Sequence, residues 1–140
     1  MSGLLKSLAD QVIDRANNRC EYCQLSQSGQ EATFHIDHVL PRVANGPTTL
    51  ENLALACVSC SLRKGAKQVA VDSVTSGEVP IFNPRLWNWG EHFHWEGAVL
   101  KAVTGIGRAT IAALSLNRPM IVAIRMEEVE RGRHPPKGFA

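Results

Sequence analysis

Cys20-Glu21-Tyr22-Cys23 and Cys57-Val58-Ser59-Cys60, two C-x-x-C pairs separated by 33 residues, decide how this chain folds. Two residues between cysteines let both thiolates reach one tetrahedral ion from a tight turn. Two such knuckles complete a four-cysteine site. The stretch MSGLLKSLADQVIDR has no long apolar run before Asp10 and Asp14, so no secretory signal is expected and the expected location is cytoplasmic. A reducing cytosol disfavours a disulfide framework. A lone C-x-x-C would suit a thioredoxin-like redox pair, but the second pair has no βαβ context around it. The expectation is a structural Zn²⁺ held by Cys20, Cys23, Cys57 and Cys60, with no ligand position left open for chemistry.

Working outward, the 140 residues fit one domain with a small appendage and suffice for a sizeable core. Apolar residues make up 44% and charged residues 20%, with a formal net charge of +2, which argues against disorder. The longest apolar run, Leu53 to Val58, is far short of a membrane span, so no membrane association is expected. Formal charge is 0 over residues 1–65 and +2 over residues 66–140, so the balance does not announce a nucleic-acid binder.

Residues 4–16 read as an amphipathic helix, with Leu5, Leu8, Val12, Ile13 and Ala16 on one side, broken by Asn17-Asn18. Ala32 to Leu40 reads as a strand ended by Pro41, and Leu50 to Ala56 as a second strand. Ser61 to Val69 should begin a short helix. Beyond residue 70, Val69 to Val74 suits strand or helix, while His92 to Trp95 and Ala98 to Val103 read as strands. Thr104 should cap a helix running to Leu116, and Pro119 should open another from Met120 to Arg131. The expected division is residues 1–68 as a zinc-buttressed finger and 69–140 as an extension packed on it, with 132–140 a mobile tail. Trp87, Trp89 and Trp95 are expected to pack the core rather than stack on bases. Gly105-Ile106-Gly107 lacks a third glycine and a βαβ unit, so no nucleotide cofactor is expected.

Between the knuckles lies Phe34-His35-Ile36-Asp37-His38-Val39-Leu40-Pro41-Arg42, with Asn52 fourteen residues after His38. Strand alternation puts Asp37 and His38 on opposite faces, and they serve one site if the strand ends there and twists. Such a pair offers a hard oxygen ligand and an imidazole whose ordinary pKa near 6.5 suits a general base. The layout C-x-x-C, D-H-x-x-P, a Gly-containing loop, N-L-x-L-x-C-x-x-C and R-K-G resembles the HNH endonucleases of the His-Me (ββα-metal) finger fold, over roughly residues 12–65. FNPRLWNWGEHFHW and TGIGRATIAALSLNRP also resemble the tail of a group of small bacterial HNH proteins.

That resemblance implies an α+β fold: an N-terminal helix, a ββα-metal finger and a C-terminal region of short strands and two helices. It implies hydrolysis of DNA phosphodiester bonds to 5′-phosphate and 3′-hydroxyl ends, with Mg²⁺ or Mn²⁺ as catalytic ion. His38 then matches the general base, Asp37 the metal-ligand carboxylate, and Asn52 the brace that orients His38. The residue after the fourth cysteine is normally a His or Asn that binds the metal, and here it is Ser61. Either Ser61 binds through a water, or His35 supplies the missing ligand, or efficient cleavage has been lost. His35 alone reads more readily as a supporting or surface histidine. Arg42, Arg63, Lys64 and Lys67 around such a site become expected contacts to the DNA backbone. The alternatives are a catalytically weak, zinc-stabilised DNA-binding module and a protein adaptor using the Trp-rich segment. The last two helices pack on the finger or pair with a second copy, making a homodimer.

Overall fold

Ser7 opens the first helix, its Oγ accepting the Asp10 N–H at 3.1 Å as an N-cap. This helix, α1, spans Leu8–Arg15 and buries Val12 completely. The computed structural model describes residues 6–137, so the expected helical positions Leu4 and Leu5 lie outside the described residues. Asn17 and Asn18 both take positive φ, 54° and 57°, which ends the helix and turns the chain into the first knuckle. Arg15 reaches back from α1 to donate to the carbonyls of Leu50 (2.8 Å) and Leu53 (2.6 Å).

Strands β1 (His35–His38) and β2 (Leu53–Ala56) form an antiparallel hairpin, with Asp37 opposite Ala54 and His38 opposite Leu53. Both strands are shorter than the sequence suggests, because Leu50–Asn52 forms a 3₁₀ turn and the chain before His35 is held by side chains. Gln27 Oε1, for example, accepts the Phe34 N–H at 2.7 Å. Helix α2 covers Val58–Lys64 and starts earlier than expected because Cys57 itself is its N-cap. β1, β2 and α2 together are the ββα unit.

The remaining chain builds two more hairpins and two helices: β3 (Val69–Val71) with β4 (Glu78–Pro80), β5 (Phe93–Glu96) with β6 (Val99–Ala102), then α3 (Gly105–Leu114) and α4 (Pro119–Glu130). The fold is mixed α+β. Thr104 caps α3 by accepting the Gly107 N–H at 3.1 Å, and Pro119 occupies the first turn of α4, both as the sequence predicts. A single apolar cluster joins Val12, Phe34, Leu53 and Leu55 to Phe82, Trp89, Phe93, Leu100, Leu114 and Ile121. Trp89 is 5% exposed and its Nε1–H donates to the Tyr22 carbonyl at 2.9 Å, so this tryptophan welds the Trp-rich segment to the first knuckle. His92 lies outside β5 and bonds Thr104 Oγ1 at 2.7 Å.

The segment expected to trail as a mobile tail is instead docked over its described part. The Arg133 carbonyl accepts from Arg19 at 2.7 Å, and its guanidinium pairs with Glu128. His134 is 9% exposed, bonds the Gly97 carbonyl at 2.9 Å and sets its ring edge-on to Trp95. Polar composition misled the sequence reading here, because one histidine and one arginine supply enough partners to hold the chain down. Residues 138–140 lie outside the described residues. Among the described residues, no helix is long and apolar enough to cross a membrane.

Arg125 of α4 is the most deeply buried arginine of this layer, at 2% exposure. It donates to the carbonyls of Leu116 (2.6 Å) and Ala98 (3.0 Å) and to Asn117 Oδ1 (3.1 Å), and lies 4.9 Å from the Trp95 ring centroid. Asn117 in turn clamps both backbone groups of Leu100. Replacing Arg125 with Met should strand these acceptors and lower stability by about 3 kcal/mol, read by denaturant unfolding. Arg125→Lys should recover only part of the loss, because an ammonium cannot reproduce the planar fork.

Candidate active site and metal centre

The four cysteines are buried, and their ligand atoms all lie within 4.8 Å of one another. Cys23 Sγ and Cys57 Sγ are 3.7 Å apart. A tetrahedral ion with metal–sulfur bonds of about 2.3 Å requires sulfur–sulfur edges of about 3.8 Å, so the thiols are set for zinc. In each knuckle the N–H of the second cysteine points to the sulfur of the first at 3.4 Å. These bonds favour thiolates. Burial pushes the Cys20 thiol well up, hydrogen bonding to the other three thiols raises Cys60, and hydrogen bonds from those neighbours hold Cys57 far down. A cation bound among the four sulfurs would offset the repulsion between neighbouring thiolates.

The knuckles are tied to the hairpin by backbone. The Glu21 N–H donates to the Leu55 carbonyl, and the Leu55 N–H donates to Glu21 Oε2, both at 2.8 Å. Glu21 also pairs with Arg85, yet burial still raises its pKa.

Alternation along β1 sends His35 and Asp37 to one face, and α2 covers that face. Two rungs connect the elements. His35 Nδ1 lies 2.9 Å from Ser61 Oγ, and Asp37 Oδ2 lies 3.1 Å from Lys64 Nζ. Ser61 and Lys64 are three apart on α2, so they stand one above the other on the helix as His35 and Asp37 stand on the strand. The buried Tyr22 hydroxyl also donates to Asp37 Oδ2, at 3.2 Å. Burial raises the Asp37 pKa, opposed by the Lys64 ammonium, by hydrogen bonds from Lys64 and Tyr22, and by the nearby His38.

Lys64 is therefore misplaced in the sequence reading. Its side chain is 2% exposed and also donates to the His38 carbonyl at 2.9 Å, so it serves β1 and Asp37 rather than a DNA phosphate. Arg42, Arg63 and Lys67 are exposed. Arg63 leans on Ser59 and Ser115, and Lys67 donates to the Arg63 carbonyl.

β1 ends at His38, whose Nε2 lies 2.8 Å from Thr48 Oγ1. Asn52 is 8% exposed and spans the loop between the strands. Its Oδ1 accepts the Leu40 N–H at 2.8 Å, while its Nδ2 donates to the carbonyls of Leu40 (3.0 Å) and Pro47 (2.9 Å). Asn52 thus ties Leu40, two residues after His38, to Pro47, the neighbour of Thr48. Gly46 makes this closure possible: a Cβ there would fall 1.7 Å from the Leu40 carbonyl oxygen. Sequence reading missed Tyr22 and Thr48. Neither carries a spacing signal of its own, and only the folded loop brings them to Asp37 and His38.

Asp37, His35 and Ser61 supply oxygen and nitrogen donors on one face, and Tyr22 and Lys64 both engage Asp37 through Oδ2, so Oδ1 could serve an ion. This donor set suits Mg²⁺ or Mn²⁺, which take few protein ligands and keep several waters. Residues 20–67 match the family model described as HNH endonuclease. Neither a curated protein nor a solved structure matches the chain.

If the thiol quartet holds the fold, purified protein should contain about one zinc per chain. Stripping that metal with a strong chelator should abolish cooperative thermal unfolding, and readdition of zinc should restore it. Unchanged melting after complete zinc removal would refute the structural role.

Proposed function

We propose that the HNH endonuclease domain formed by residues 20–67 hydrolyses phosphodiester bonds in DNA, leaving 5′-phosphate and 3′-hydroxyl ends. The observation that carries this reading is the Asp37-His38 pair at the end of β1, with Asn52 clamped across the loop behind it.

His38 acts as general base. Thr48 Oγ1 engages Nε2, so with the proton on that nitrogen Nδ1 is the basic atom available to a water. Asn52 fixes Leu40 and Pro47, the residue before Thr48, so the imidazole keeps one orientation without spending freedom at each turnover. Asp37 would hold the divalent ion through Oδ1, while Lys64 and Tyr22 fix the carboxylate through Oδ2. When bound, the ion supplies charge stabilisation to the phosphate and to the departing 3′-oxygen. Arg42, Arg63 and Lys67 present exposed charge that positions a backbone without reading sequence.

Supercoiled plasmid incubated with Mg²⁺ or Mn²⁺ should be nicked or linearised, and end-labelling should find 5′-phosphates. His38→Ala should reduce the rate at least about 100-fold with zinc content and melting unchanged. Thr48→Val should fall between the two. Plasmid left equally intact by wild type and His38→Ala, with both still retarding DNA on a gel, would replace this reading with a DNA-binding module.

A further inference from the structure

Ser61 stands where an HNH domain normally carries a metal ligand, yet its side chain is too short to fill that place alone. His35 Nδ1 lies 2.9 Å from Ser61 Oγ. The ring nitrogen thus lies in the space that a longer side chain at position 61 would occupy. The ring belongs to β1, not to α2, so the donor has changed elements while keeping its place.

His35 is also correctly stationed relative to Asp37. The two share one face of β1 at positions i and i+2, about 7 Å apart along the strand. Metal–ligand bonds of about 2.1 Å from an imidazole nitrogen and a carboxylate oxygen can meet on an ion between two such side chains. Asp37 cannot swing away, because Lys64 and Tyr22 pin Oδ2. His35 is half-buried, so its imidazole faces the interior between β1 and α2 with limited rotational freedom. An imidazole donor also favours Mn²⁺ over Mg²⁺, whose preference is for oxygen.

We propose that His35 is a direct ligand of the catalytic divalent ion, taking over the ligand role that Ser61 cannot fill and sharing the ion with Asp37. Ser61 becomes a positioning residue that bonds the His35 ring before the ion arrives. The proposal rests on the metal-dependent reading above, and it adds a strand histidine to the ligand set.

Mn²⁺ binding to the zinc-loaded protein tests it without any turnover, using calorimetry for affinity and pulsed electron paramagnetic resonance for directly bound nitrogen. Wild type should show a histidine nitrogen coupling on bound Mn²⁺. His35→Ala should lose that coupling and weaken Mn²⁺ affinity at least about tenfold, while His38→Ala should keep the coupling. His35→Ala combined with Ser61→Asn should regain affinity, since the amide restores a donor from α2; this recovery also shows that the single variant is folded. Mn²⁺ bound in an Asp37-dependent manner with no nitrogen coupling, or with a coupling that survives His35→Ala, would overturn the His35 assignment and leave the nuclease reading standing. No Mn²⁺ binding to wild type, or binding unchanged by Asp37→Ala, would overturn both.

Discussion

Four sulfurs brought within 4.8 Å of one another are a shared constraint on two distant pieces of chain. Held by a cation, they fix the first knuckle to the start of α2; without one, mutual repulsion and buried thiols would oppose the same geometry. Cys57 follows directly after β2 and caps α2, so the position of the zinc site sets where the helix begins and how it is rotated. Cys57, Cys60 and Lys64 fall at i, i+3 and i+7 on one face of α2. The turn that carries Cys57 and Cys60 therefore also aims Lys64 at Asp37, and, one step round the helix, Ser61 at His35. The cysteine cluster and the candidate active site are two ends of one helical face.

The elements that could be read from sequence are those with a local physical signature. Thr104 and Pro119 announce their helices because caps and first-turn prolines act within a few residues. The cysteine pairs announce themselves because a tetrahedral ion demands their spacing. Asn52 is singled out by its distance to His38, and it makes three bonds to Leu40 and Pro47 across the loop between the strands. What could not be read depended on contacts far apart in sequence. Lys64 has the composition of a surface cation, and only the packing of α2 on β1 makes it interior. Tyr22 sits inside a knuckle as an ordinary aromatic until the fold sets its hydroxyl on Asp37. Arg133 and His134 look like tail until Glu128 and Gly97 supply their partners.

The C-terminal elements do more for the site than their distance from Asp37 suggests. Trp89 takes the Tyr22 carbonyl, so the Trp-rich segment holds the residue whose hydroxyl reaches the carboxylate. Arg85 reaches Glu21, which in turn holds the Leu55 N–H of β2. A finger of this size offers too little apolar surface to stay ordered on a hairpin and one short helix. The shared cluster running from Val12 to Ile121 makes up the difference, and it explains why the two halves of the chain have one core.

Electrostatics follow from the burial of Lys64. Its ammonium compensates the Asp37 carboxylate inside the protein, which lets an otherwise costly charge sit at 10% side-chain exposure. The pair favours the charged form of Asp37: removing a lone buried carboxylate from water would push it toward its neutral form, and Lys64 opposes that shift. The same burial withdraws one cation from the surface of a segment whose formal charge is already 0 over residues 1–65. Arg42, Arg63 and Lys67 remain exposed. Three phosphate contacts would give a log–log salt slope of only about −3. On the proposed nuclease reading, three exposed cations would hold DNA only weakly, and placing the phosphate would fall chiefly to the ion and its ligands. On that reading the identity of those ligands, more than the surface charge, would control what the finger can do.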